Sequence, residues 1–362
     1  MSDQAVLNQA AAVLAVTETG QRADRALRDY FEGPRHGSWR ERREIVGAVF
    51  AYFRWLQWLD RKAPQQRRLS EALGLQKRFN EDGNSVKAEA LAVRAVPGWL
   101  GGEMDLTPEY LRHLQREPAL WIRTRPGKRA EVAAALGDCE ETDRAPDALR
   151  YRGDRDLFQT TAFRTGAFEI QDLASQVVGV TCAPKPGESW WDACAGEGGK
   201  TLHLADLMGN KGVVWASDRN PRRLEVLGRR AARAKLFNFR TAPWDGGLKP
   251  PNRMKFDGVL VDAPCSGVGT WGRNPQARWT TSGKDVAELA AIQSSLLRNA
   301  APWVKAGGRL VYSVCTMTRS ETTAVADTFK AAHPDFEEVS RTVLRPEELQ
   351  SNGMFIAVWK KT

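Results

Sequence analysis

The chain has 362 residues, 42% hydrophobic and 27% charged, with 53 basic against 44 acidic side chains and a formal net charge of +9. These are ordinary values for a globular protein, and the length admits one to three domains with a sizeable buried core. No apolar run reaches membrane-spanning length and MSDQAVLNQAAAVLAVTETG lacks a basic export region, so a cytoplasmic protein is expected.

The basic balance favours a polyanionic partner, because clustered Lys and Arg displace counterions from phosphates. Clusters at Arg40–Arg43, Arg61 and Lys62, Arg67 and Arg68, and within Arg123–Arg129 fit that reading; each also fits a solvated face. The cysteines are Cys139, Cys182, Cys194, Cys265 and Cys315, an odd set without a CxxC pair. A disulfide framework or a zinc site is therefore not expected, and neither is another metal.

Residues 1 to about 115 read as helical. Ser38 and Glu41 have capping-box spacing, and Ile45, Val49, Phe53, Leu56 and Leu59 follow at helical intervals. EDGNS (81–85) and PGWLGG (97–102) mark breaks. A short mixed segment follows, with strands at 119–124 and 148–152 around a helix at 128–136. From about residue 165, apolar strands alternate with helices: SWWDAC, KTLHLADLM, GVVWASD, PRRLEVLGRRAARA and FDGVLVDAP, then a long loop and a helix over 284–304. GRLVYSV, a helix starting near Ser320, and a closing strand MFIAVWK complete it. This alternation implies a doubly wound α/β sheet.

DACAGEGGKT (192–201) lies between a strand and a helix, and Asp218 ends the next strand. Glycines there let the backbone approach a ligand, and an acid at that distance suits a ribose hydroxyl pair. A phosphate-binding P-loop would need glycine where Cys194 stands; a dinucleotide site would need glycine where Thr201 stands. An S-adenosylmethionine site needs only the short glycine turn and the acid, while a tight turn without ligand is the plain alternative. Asp245 would follow the third strand, as an adenine contact or a turn residue.

VDAPCSGVGT and LVYSVCTMT each place a cysteine just past a buried strand. A free cysteine is by default a small buried hydrophobe. Two of them beyond the carboxyl ends of two strands, with Asp262 and Asp192 at the same edge, favour chemistry instead. Cytosine C5 is a poor nucleophile until a thiolate adds at C6, and an acid at N3 and the exocyclic amine would stabilise the developing charge. The base would have to be unpaired or flipped out.

These residues resemble a known family. DAPCSGVGT with NPQARW, YSVCTMTRSE, DACAGEGGKT and FEIQDLASQVV, spanning about 156–362, are similar to the Sun/NOL/NOP RNA cytosine-C5 methyltransferases. RADRALRDYF and GSWRERREIVGAVFAYFRW more loosely resemble the NusB-like domain of the bacterial Rsm-B type. The resemblance implies a Rossmann-like S-adenosylmethionine methyltransferase domain (161–362). It also implies a preceding all-α NusB-like RNA-binding domain (1–115) and a small α/β RNA-recognition-like module (116–160).

It further implies Cys315 as nucleophile, Cys265 as the thiol for product release, Asp262 at the cytosine edge and Lys200 near cofactor and base. Asp192, Cys194, Ala195, Gly196, Glu197, Gly198, Gly199, Lys200, Asp218, Arg223, Asp245 and Asp262 would line the S-adenosylmethionine site, and Arg273 would meet RNA, with ribosomal RNA the expected substrate. Glu197, Gly272 and Thr322 depart from the family pattern, which usually has proline, arginine and asparagine there. Trp190, Trp271 and Trp279 are candidates for base stacking or for packing. The competing reading is an inactive RNA-binding ribosome-assembly factor on a methyltransferase fold.

Overall fold

The computed structural model describes residues 3–32, 37–250 and 252–362. The chain divides into two compact units, Met1–Pro118 with Thr270–Ser282, and Ala119–Gly269 with Gly283–Thr362.

The first unit is helical. Its main helices are Asp3–Glu18, Ala23–Glu32, Trp39–Trp55, Gln65–Glu81, Ala88–Arg94 and Pro108–His113. The expected capping box forms: Glu41 N–H donates to Ser38 Oγ (3.3 Å) and Ser38 N–H to Glu41 Oε2 (2.7 Å). Behind it Ile45, Val49, Phe53 and Leu59 are buried in one core with Val13, Leu14 and Leu69. PGWLGG is a short 3-10 helix over Gly98–Gly102 rather than an open break.

Residues 270–282 belong to this helical unit, which the strand-and-helix alternation does not reveal. Arg278 is fully buried and donates to the carbonyls of Ala95 (3.3 Å) and Leu114. Trp279 Nε1–H donates to the Phe53 carbonyl (2.8 Å), and Gln276 Oε1 accepts from Ala23 N–H (2.6 Å). Trp271 is buried edge-on to Trp99. Packing is thus what Trp271 and Trp279 do here.

The second unit carries two sheets. The smaller has the order β2-β3-β1-β4, all antiparallel, from β1 (Leu120–Thr124), β2 (Cys139–Glu141), β3 (Ala148–Tyr151) and β4 (Phe168–Ile170). The helix Arg129–Leu136 packs Val132 and Leu136 into its core. β4 comes from the FEI of FEIQDLASQVV, and the helix Leu173–Cys182 follows it.

The larger sheet has the order β10-β11-β9-β8-β5-β6-β7. Its strands are β5 (Ser189–Asp192), β6 (Val213–Asp218), β7 (Phe239–Pro243), β8 (Phe256–Asp262), β9 (Val304–Val314), β10 (Phe336–Leu344) and β11 (Met354–Lys361). β7, β6, β5, β8 and β9 run parallel, and β11 and β10 are added antiparallel. Trp191, Val259, Val261, Leu310 and Tyr312 are buried on one face of it and Trp190, Leu260, Val311 and Ile356 on the other. Both faces are covered, as expected of parallel strands with near-continuous apolar sequence.

Two boundaries differ from expectation. The helix expected over 284–304 runs Gly283–Ala300, because Pro302 in the 3-10 turn Ala301–Trp303 cannot continue the helical hydrogen bonds, and Val304 already opens β9. β10 has no counterpart in the sequence reading; it is an edge strand, largely solvent-facing and charged. No described helix is long and apolar enough to cross a membrane.

Candidate active site

The carboxyl ends of β5, β6, β8 and β9 bring Asp192, Asp218, Asp262 and Val314 to one edge of the large sheet. Open α/β sheets bind ligands beyond that edge. The β8–β9 register pairs Asp262 with Ser313, so Cys265 and Cys315 emerge side by side from neighbouring strands. Their sulfurs are 3.3 Å apart. Gly269 fixes the return of the loop: its N–H donates to the Cys315 carbonyl (3.1 Å), and a Cβ would lie 2.1 Å from the Gly353 carbonyl oxygen.

The two thiols are not equivalent. The hydrogen bond from Cys265 lowers the Cys315 pKa below the usual thiol value, and the Lys200 ammonium acts in the same direction against burial. The same hydrogen bond, with burial behind it, pushes Cys265 up. Of the two, Cys315 is thus the more readily ionised and Cys265 the more firmly protonated.

Asp262 is held on both oxygens. Lys200 Nζ lies 2.7 Å from Oδ2, and Ser313 Oγ donates to Oδ1 at 2.7 Å. Burial alone would lower the Lys200 pKa, but the adjoining Asp262 carboxylate outweighs it and the net shift is upward, so the lysine stays charged.

The glycine turn leads into the helix Gly199–Leu207. Gly198 has a left-handed φ of +87°, and a Cβ there would stand 2.5 Å from Leu227 Cγ, so both backbone and neighbour demand glycine. Gly196 N–H donates to Asp218 Oδ2 (3.0 Å), Asn220 N–H donates to Oδ1 (2.8 Å), and Arg223 stands 3.6 Å away on the exposed side. Ala195 packs with Ala216, Leu224 and Leu227, while Cys194 is half-buried against the core. Glu197 points its side chain to solvent, and its carbonyl accepts from Arg230 (2.8 Å). The Gly199 carbonyl accepts from Gln171 Nε2 (3.2 Å).

Asp192 is fully buried; Oδ2 accepts from Thr201 Oγ1 (2.6 Å) and Oδ1 has no hydrogen-bond partner. Burial raises its pKa to about 7, opposed by the Thr201 hydrogen bond.

Other expected residues lie elsewhere or do other work. Asp245, two residues past β7, is exposed and accepts from Gly247 N–H (2.8 Å), closing its own turn. Arg273 is exposed and belongs to the helical unit. Trp190 is fully buried in the sheet core, as packing requires. Thr322 donates to the Thr318 carbonyl (2.6 Å) just before the helix Thr323–Ala332. Within the Arg123–Arg129 cluster, Arg123 is not on a solvated basic face: it is buried, donating to Gln171 Oε1 (2.7 Å) and pairing with Asp206 at 2.5 Å.

The sequence reading missed Ser313, whose only signal was its place two residues before Cys315. It also missed the group behind the thiols in which Gln293, Tyr312 and Glu321 are buried and Ser266 is half-buried, for which a lone Glu after a Thr/Ser-rich turn was a faint sign.

A parallel sheet with a glycine turn after β5, an acid after β6 and antiparallel strands beyond β9 defines a Rossmann-like methyltransferase fold. It is shared with solved structures: PH0851 covers 98% of this chain and 98% of its own at TM-score 0.80 and 22% identity. A methyltransferase homolog protein from Pyrococcus horikoshii covers 80% of this chain and 99% of its own at TM-score 0.63 and 23% identity. The helical unit is consistent with the NusB-like domain expected from the sequence.

Residues 179–359, half of the chain, match the family described as 16S rRNA methyltransferase RsmB/F, and the chain belongs to that family. The probable ribosomal RNA small subunit methyltransferase B of Synechocystis sp. is 35% identical over 283 residues, 70% of this chain and 63% of that protein. The chain thus spans less than two thirds of that relative's length.

Proposed function

We propose that this chain methylates carbon 5 of a cytosine in RNA, ribosomal RNA of the small subunit being the substrate class its family indicates. The observation that carries the reading is the unequal thiol pair: the Cys315 and Cys265 sulfurs lie 3.3 Å apart, the first shifted toward ionisation and the second away from it.

S-adenosylmethionine fits the residues present. Asp218 spends one hydrogen bond on each oxygen and keeps lone pairs for a ribose diol. A Cβ on Gly196 would meet the Arg223 guanidinium at 3.8 Å, an ordinary contact, so the bare glycine lets a ligand approach the backbone there. The unpartnered Asp192 Oδ1 suits an ammonium group. Asp218, Gly196, Gly198 and Asp192 would hold the cofactor. Once bound it supplies an electrophilic sulfonium methyl group to the activated carbon.

The remaining chemistry belongs to the chain. The Cys315 thiolate adds to C6, and the electron pair of the C5=C6 bond moves into the ring, making C5 nucleophilic. Asp262, fixed by Lys200 and Ser313, holds the ring edge by accepting from the exocyclic amine, and the Lys200 ammonium beside it supplies the positive charge that offsets the charge developing on the ring. With its sulfur bonded to carbon, Cys315 no longer carries charge, so the influences that raise the Cys265 pKa weaken. Cys265 then loses its proton to water and takes the proton from C5. The C5–H electron pair re-forms C5=C6, and Cys315 leaves as the thiolate.

The test is incubation with S-adenosylmethionine and unmodified small-subunit RNA, followed by nucleoside analysis. The reading expects 5-methylcytidine, and none from Cys315→Ala. RNA binding without cofactor binding or product would instead support an inactive assembly factor.

A further inference from the structure

Behind the thiol pair lies a carboxylate that the proposed chemistry does not use. Glu321 is fully buried, yet each of its oxygens accepts from two donors. Oε1 takes Ser266 N–H (2.8 Å) and Gln293 Nε2 (2.9 Å); Oε2 takes Thr318 Oγ1 (2.8 Å) and Ser266 Oγ. Gln293 Nε2 also reaches the Pro264 carbonyl (2.9 Å). Its Oε1 lies 3.0 Å from the Tyr312 hydroxyl, whose single proton also faces the Glu321 carbonyl at 2.6 Å.

The pattern has a direction. Pro264 and Ser266 are the neighbours of Cys265 on either side, and both are held by Glu321 or by its partner Gln293. On the Cys315 side the carboxylate meets Thr318 Oγ1, three residues beyond the sulfur, while the adjacent Thr316 is reached through Ser266 Oγ (3.0 Å) and Thr318 Oγ1 (3.3 Å). A buried anion is costly unless it is fully hydrogen-bonded, and a fold needing only to fill this space could use an apolar residue. What the carboxylate adds is a rigid anchor for one loop, since four donors fix it from all sides.

We infer that Glu321 is a positioning residue for Cys265: it holds the Pro264–Ser266 turn so that the Cys265 sulfur faces Cys315 and the target carbon. The charge of Glu321 also adds, after the Cys315 hydrogen bond and burial, to the upward push on Cys265. The inference rests on the proposed cytosine chemistry. It predicts that damage at Glu321 reproduces loss of Cys265, not loss of Cys315.

The experiment compares Glu321→Gln, Glu321→Ala, Cys265→Ala and Cys315→Ala with the parent chain, on small-subunit RNA and labelled S-adenosylmethionine. Glu321→Gln keeps the shape and one acceptor oxygen, so the fold survives even where Glu321→Ala does not. The expected result is single-turnover methyl transfer near the parent rate, steady-state turnover lowered by about 10²-fold, as a misplacement of roughly 1 Å produces, and a protein–RNA adduct persisting in denaturing gels. Ser266→Ala, which loses only the hydroxyl, should show a weaker form of the same phenotype.

If Cys265→Ala traps the adduct and a folded Glu321→Gln turns over normally with none, the positioning role is overturned alone. A Glu321→Gln variant that loses single-turnover transfer together with the adduct overturns it too, because the damage then reaches Cys315. Absence of adduct from Cys265→Ala itself overturns this inference and the cytosine reading together.

Discussion

Lys200 Nζ and Asp262 Oδ2 are 2.7 Å apart, joining the glycine-turn helix to the end of β8. The pair is mostly buried, with 11% of the lysine and 27% of the aspartate side chain exposed. It ties the glycine-turn side of the site to the thiol side.

Replacing Lys200 by Met leaves Asp262 with Ser313 as its remaining side-chain donor and removes a cation that lowers the Cys315 pKa. Stability should fall by about 2 kcal/mol, less than for a fully buried pair because Asp262 retains some solvent. Methyl transfer should fall by about tenfold or more, as expected when an electrostatic stabiliser is lost. Denaturant titration and single-turnover rates measure the two effects.

Adduct formation should rise with pH and level off, because the nucleophile is the thiolate and the Cys315 pKa is lowered from 9.0. The first cause of that lowering is the hydrogen bond from Cys265. In Cys265→Ala the rising limb should therefore move to higher pH. The check is the single-turnover adduct rate as a function of pH in both proteins.

Asp192 makes a separate pH prediction. Its folded pKa is about 7, above the ordinary 3.8. Between those values the unfolded chain releases this proton while the folded chain keeps it, so the neutral carboxyl's contribution is full below the lower value and is lost as pH rises through the upper one. Asp192→Asn removes that dependence. Relative to the parent, it should gain stability on the order of a few kcal/mol between pH 4 and 8, read from paired denaturant titrations.

Gly269→Ala should be costly far beyond helix or turn propensity. Its Cβ would meet the Gly353 carbonyl oxygen at 2.1 Å and the Cys315 carbonyl oxygen at 3.0 Å. A loss of ~3 kcal/mol is expected from the overpacking. Methylation should drop further than stability alone explains, because the displaced strand end leads into Cys315, the proposed nucleophile. Thermal melting and activity below the melting range separate the two.

Much of this was legible in the sequence. Strand runs such as FDGVLVD are apolar enough to mark buried parallel strands, and a glycine turn or a cysteine just past one is a local signal. Ser38 and Glu41 announce their helix start by spacing alone. What escaped depends on long-range packing. Arg278 and Trp279 look like loop residues until the carbonyls of Ala95, Leu114 and Phe53 are seen to receive them. β10 is an edge strand whose exposed, charged residues carry no apolar period. Arg123 reads as a surface cation because Asp206, its buried partner, lies far along the chain. Glu321 gives only a faint sign for the same reason: Ser266 and Gln293 approach it from other elements.

The central claim is met most directly by gel analysis of Cys265→Ala incubated with small-subunit RNA and S-adenosylmethionine. The account predicts an RNA-linked band that survives denaturation, disappears on RNase digestion and is absent from the Cys265→Ala, Cys315→Ala double variant. No such band, with 5-methylcytidine still produced when Cys315 is replaced by Ala, would contradict it.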